Sequence, residues 1–127
     1  MGDVVNLASR IEGLTKLYRT RFLMCGITAS RVEGSIATRK VDAVRVKGKT
    51  VATELFDAVD DEALRAGYAA AFALYQRGDF AAAAKQWKSL GERYPSDGPT
   101  SVMAERAAAF ATSPPPHWDG IYTVGVK

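Results

Sequence analysis

Asn6 and Arg10 stand four positions apart, so on a helix their side chains share one face, about one turn from each other. A carboxamide and a guanidinium aimed at one point can stabilise an anion. The guanidinium is always charged and presents a planar fork of N–H groups. Preorganised donors of this kind stabilise charge that develops in a transition state, and losing one costs roughly 2.7–4 kcal/mol in enzymes that rely on it. Without its surroundings, such a pair is usually solvated helix surface. The other basic feature, Lys47-Gly48-Lys49, reads by itself as an exposed turn. Gly48-Lys49-Thr50 has the closing letters of a P-loop, but the loop's first glycine would fall on Ala43 and the segment joins strand to strand. His117 is the single histidine and lies beyond a proline run, which suits a surface residue. Cys25 is the single cysteine, so no intrachain disulfide can form, and a thiolate zinc site is disfavoured. It closes the apolar run Phe22-Leu23-Met24-Cys25 and reads as a small buried strand residue.

These residues need elements to hold them. Val4, Leu7, Ala8, Ile11, Leu14 and Tyr18 draw one apolar stripe along a helix over residues 4–18. Asp3 fits as its cap or as a helix-start charge, not as a metal ligand. Residues 21–25 have strand length, and residues 28–34 suggest one or two helical turns opened by Thr28 and closed near Gly34. Over 38–46, Val44 and Val46 point one way and Arg45 the other. Lys47-Gly48-Lys49 then turns the chain into a second strand, Val51–Phe56, making a hairpin. Helix, strand, helix and hairpin make an α+β pattern.

The pattern changes at Asp60-Asp61-Glu62, an acidic helix start. Leu64, Tyr68, Ala71, Phe72 and Tyr75 form one helical stripe. After Gly78-Asp79, Phe80, Ala83, Ala84, Trp87 and Leu90 form a second, ended by Pro95. Residues 100–111 give an alanine-rich third helix, stopped by Pro114-Pro115-Pro116. From His117 onward the chain reads as irregular or weakly extended. Two units are expected, 1–58 and 59–127. The first holds 10 basic and 6 acidic residues, the second 7 and 8. The basic first half suits a phosphate-rich ligand, though such a balance also occurs on ordinary soluble surfaces. No apolar run reaches the ~18 residues of a membrane helix, and no signal peptide is visible, so a cytoplasmic location is expected unless a longer parent is anchored upstream.

Gly2-Asp3-Val4-Val5-Asn6-Leu7-Ala8-Ser9-Arg10-Ile11-Glu12 resembles the G-D-x-V-N-L-A-x-R-[LI]-E signature of class III adenylate/guanylate cyclase catalytic domains. Asp42-Ala43-Val44-Arg45-Val46-Lys47-Gly48-Lys49 is similar to that family's D-x-V-x-V-K-G-K hairpin, in the same order and at similar spacing. The resemblance implies the C-terminal part of a ferredoxin-like cyclase domain that works as a homodimer, or paired with a second cyclase subunit, on ATP or GTP. It places the transition-state pair on Asn6 and Arg10, a triphosphate contact on Lys47 and a further phosphate contact on Arg21. The family's two divalent ions, Mg or Mn, are held by aspartates upstream of the first motif. This chain starts on that motif, so it is expected to be a fragment that binds no metal and is inactive alone. An incomplete sheet would leave the hairpin with an unpaired edge and an uncovered apolar face.

Gly78-Asp79-Phe80, Ala83, Trp87 and Pro95 resemble the second helix of a tetratricopeptide repeat, with Gly67 departing from the pattern of the first. One unit falls short of the ~3 repeats such arrays need, so a helical appendage is expected, ending in the Trp118-Asp119-Gly120 found on similar cyclase tails. No nucleic-acid partner is expected. The alternative is a non-enzymatic interaction module built on this tail, with 1–58 as a relic.

Overall fold

The computed structural model describes residues 13–21, 23–25, 37–46 and 52–124. Residues 13–17 are helical, and Leu14 and Tyr18 of the expected stripe are buried while Leu17 faces outward. The start of that helix and the turns expected over 28–34 lie outside the described residues.

A four-stranded sheet follows. Strand β1 is Met24–Cys25, β2 is Thr38–Val46, β3 is Ala52–Ala58 and β4 is Tyr122–Val124, in the order β1-β3-β2-β4. β2 and β3 are antiparallel, as the alternation and the glycine turn predict, and β1 adds antiparallel to β3. The register shifts between Lys40 and Asp42, so Val41 is an extra residue opposite β3. A bulge of this kind re-aims side chains. Here it brings Arg39 and Asp42 to the buried face together, opposite Asp57 and Leu55, and leaves Lys40 outside, paired with Glu54 at 2.6 Å. The Val41 carbonyl accepts from the Tyr68 hydroxyl at 2.7 Å.

β4 refines one expectation and corrects another. Within the stretch read as irregular or weakly extended, residues 122–124 form a strand parallel to β2, with Val44 opposite Tyr122. The hairpin therefore has a neighbour on each side rather than an open edge. Three residues carry no periodicity of their own. Their pairing depends on a return from the far end of three helices, and only tertiary structure can supply it.

Helix α1 is Glu62–Gln76, α2 is Phe80–Arg93 and α3 is Gly98–Thr112. Each start has a local reason. The Asp61 carboxylate accepts from the Leu64 N–H, and Asp97 does the same for Thr100, with Pro99 in the first turn of α3. Gly78, at φ +92°, makes the left-handed turn between α1 and α2. The predicted stripes are the buried ones: Leu64, Tyr68, Ala71, Phe72 and Tyr75 on α1, then Phe80, Ala83, Trp87 and Leu90 on α2, with Ala84 half-buried. A Cβ on Gly67 would lie 2.8 Å from Leu90 Cδ1, so close approach of α1 and α2 explains the small residue there. Leu14, Tyr18, Val41, Val44 and Leu55 share a single core with the helices, and the sheet's apolar face is covered by them.

Candidate functional site

Asn6, Arg10 and Lys47 lie outside the described residues, and so does Asp3. Strands β2 and β3 fix the two ends of the connection that carries Lys47. Arg21 is described and exposed, just after the turn that ends the helical stretch. The polar chemistry that is described lies elsewhere in the sequence, on the strands and helices, and it was not predicted.

Two ion clusters are buried between sheet and helices. In the first, Arg39 donates to both oxygens of Asp57, from Nε at 2.9 Å and Nη2 at 2.6 Å. It also grips Asp97, the cap of α3, from Nη1 at 2.7 Å and Nη2 at 3.1 Å. Thr20 Oγ1 donates to Asp57 at 3.4 Å, and the guanidinium lies over the Tyr68 ring. The Arg39 and Asp57 side chains are only 2% and 5% exposed. Burial works to raise the Asp97 carboxyl, but hydrogen bonds from Arg39 and Thr100 outweigh it and hold it below the usual carboxylate range.

In the second cluster, Arg106 of α3 donates from Nη1 to Asp42 Oδ2, and the Tyr18 hydroxyl donates to that same oxygen. Arg106 Nη2 also donates to the Tyr18 oxygen at 3.3 Å, and the Ala43 N–H donates to Asp42 Oδ1 at 2.8 Å. The guanidinium lies 3.5 Å from the centre of the Tyr122 ring, which ties β4 to the same point. Burial pushes the Asp42 carboxyl up, against the Arg106 charge and the three donors. Burial, with Asp42 alongside, pushes the Tyr18 phenol far above its ordinary value.

A third contact needs no charge. Gly98 opens α3 so close to the turn at Arg19 that a Cβ there would lie 1.9 Å from the Arg19 carbonyl oxygen. Arg19 itself has φ +53°. The Trp118-Asp119-Gly120 motif fastens the other end. Trp118 Nε1 donates to the Tyr75 and Gln76 carbonyls at the end of α1, Asp119 pairs with Arg45 of β2 at 2.7 Å, and Gly120 sits at φ +87° against Gln76.

These groups position rather than react. Each carboxylate of the two clusters is already neutralised by arginine, so none fits a divalent ion. Among the described residues, no group of three or more His, Cys, Asp or Glu could hold a metal. No described helix is long and apolar enough to cross a membrane. A cleft of about 460 Å³ between the start of β2 and α1 is lined by Lys40, Arg65 and Gln76 among others, and Arg21 is not in it. The missed partners had only a faint signal. Arg39, Asp42 and Asp57 stand on strands that also carry the exposed or half-buried charges Lys40, Arg45 and Glu54, and Arg106 follows Glu105 in an alanine-rich helix, so nothing local marks which charges are buried.

No family model matches the chain, and no solved structure matches it. Two curated proteins do. The chain is 33% identical over 118 residues to "Adenylate cyclase, terminal-differentiation specific" of Dictyostelium discoideum, a match covering 84% of the chain. It is 34% identical over 59 residues to "Adenylate cyclase 1" of Rhizobium meliloti (strain 1021), covering 46% of the chain. The chain is cyclase-related. This cyclase-related chain spans only a small part of those relatives, 6% of the first and 9% of the second. A match over 84% of the chain cannot stop at residue 58. It runs on into the helices, so the likeness to the Dictyostelium protein includes strands β1 to β3 and at least part of the helical layer that covers them.

Proposed function

We propose that the chain is the C-terminal part of a class III nucleotide cyclase catalytic domain, with residues 59–127 as a tetratricopeptide-like cap on residues 1–58. The reaction is ring closure of a nucleoside triphosphate. The ribose 3′-oxygen bonds to the α-phosphorus, the bond from that phosphorus to the bridging oxygen of the β-phosphate breaks, the hydroxyl proton is released, and pyrophosphate leaves. Arg10 stabilises the charge that builds on the phosphate oxygens, and Asn6 orients the ribose from the same helix face. Lys47, at the hairpin connection, and Arg21 hold the triphosphate. The divalent ions would be held by aspartates that this chain does not contribute, and the second half of each site would come from a partner subunit.

The observation that carries this reading is the 33% identity to an adenylate cyclase, which runs through the β2–β3 hairpin and into the helices. The test is complementation. The chain is mixed with a cyclase that keeps its metal aspartates but has lost the matching Asn and Arg. Cyclic nucleotide formation from ATP with manganese is expected to return, and Arg10→Ala in this chain is expected to abolish it. Steady turnover by the purified chain alone, or no rescue at any mixing ratio, would overturn the reading.

A further inference from the structure

We propose that helix α3 is a positioning element for the helical stretch that ends at Tyr18, which the sequence pattern extends back through Asn6 and Arg10, and that Arg106 is its principal positioning residue. The inference rests on the cyclase reading above and adds a role for the helical segment within it. Residues 18–20 end the helical stretch, and α3 or its buried partners touch all three. Tyr18 is fully buried and shares Asp42 Oδ2 with Arg106, which also donates directly to the tyrosine oxygen. The Arg19 backbone lies against Gly98, leaving no room for a side chain there. Thr20 donates to Asp57, which Arg39 links to Asp97 at the start of α3. Three successive residues are therefore fixed by contacts of three kinds: a shared charge, a steric stop and a hydrogen bond.

A helix held at one end transmits that restraint along its axis, because its backbone hydrogen bonds make it rigid. Arg10 stands eight positions before Tyr18, about two turns away on the helix that the apolar stripe predicts over 4–18. Anion-stabilising donors act only from the right geometry, and misplacement by about 1 Å can cost as much as a hundredfold in rate. Arg106 touches neither nucleotide nor metal in this scheme; it acts through Tyr18.

The test uses the full chain and three substitutions. Arg106→Gln removes the charge, and Tyr18→Phe removes only the hydroxyl, leaving the Arg106–Asp42 pair intact. Arg77→Gln, in an exposed pair with Asp79, is the control. Hydrogen exchange is expected to quicken about tenfold over residues 13–20 in the first two variants, as expected for one lost hydrogen bond to a charged group, and to stay unchanged over residues 80–93. In the complementation assay kcat is expected to fall about tenfold or more with KM for ATP within about twofold, the split expected when an interaction is needed only in the transition state. Unchanged exchange over 13–20 would overturn the inference. So would faster exchange throughout the chain, or a rescue kcat equal to wild type. If the wild-type chain itself gives no rescue, the cyclase reading fails and takes the positioning role with it. If the wild type rescues and the variants match it, the positioning role alone fails.

Discussion

Arg39 meets two carboxylates from different elements, and the consequence is an asymmetry between buried and exposed pairs. Removing one member of a buried pair strands the other charge in a poorly solvated place, at a cost of about 3–5 kcal/mol. Exposed pairs contribute only about 0–1 kcal/mol. Asp57→Ala, beside the buried Arg39, is expected to lower unfolding free energy in urea by about 3–5 kcal/mol. Glu54→Ala, three positions away on the outer face, is expected to change it by less than about 1 kcal/mol. Equal losses would mean that the bulge does not separate the two faces. The buried phenols give a second expectation. Burial raises Tyr18, Tyr68 and Tyr75 above the ordinary tyrosine value. A group whose folded value is raised keeps its contribution below the unfolded value and loses it as the pH climbs past. Stability is therefore expected to be level up to about pH 10 and to fall above it. Thermal midpoints followed together with phenolate absorbance across that range check this. Ionisation of all five tyrosines ahead of unfolding would contradict it.

At the scale of elements, two glycines in helical segments make opposite predictions. Among the described residues, nothing lies where a Cβ on Gly13 would go. Gly13→Ala is expected to gain about 0.5–1 kcal/mol through helix propensity. Gly98→Ala must displace the Arg19 backbone and is expected to cost about 1–3 kcal/mol, as overpacking does. Denaturation midpoints of the two variants, measured side by side, should move in opposite directions. The elements also separate what a sequence discloses from what it hides. The stripes of α1 and α2 were legible because a 3.6-residue period is written into Leu64, Tyr68, Phe72 and Tyr75, and again into Phe80, Ala83, Trp87 and Leu90. The hairpin was legible from its alternation and its Lys-Gly-Lys turn. β4 was not, because three residues carry no period and their place is set by Trp118 and Asp119 docking elsewhere. The ion clusters were hidden for a related reason. Arg106 and Asp42 lie 64 positions apart, and no local pattern says which charges will be buried together. The candidate site was legible only as the letters around Asn6, Arg10 and Lys47.

For the molecule as a whole, sheet and helices depend on one another. β2 gains its outer neighbour only because the chain returns after α3, and that return is pinned at one place. Trp118 packs edge-on against Tyr75, Phe80 and Phe110, and its N–H satisfies two carbonyls at the end of α1. Asp119 then reaches Arg45, and Tyr122 settles under Arg106. Removing residues 117–127 strips both the aromatic plug and β4, while α1 and α3 keep the Asp61 and Asp97 caps at their starts. The helices are expected to remain, seen as helical circular dichroism close to that of the full chain. β2 would present a row of unpaired N–H and C=O groups, a template for pairing with another copy. The truncated chain is expected to self-associate with rising concentration in sedimentation, more than the full chain does. Trp118→Ala keeps β4's residues but removes their anchor, so it should fall between the two. A truncated chain that sediments like the full one would mean that β4 is dispensable for covering that edge.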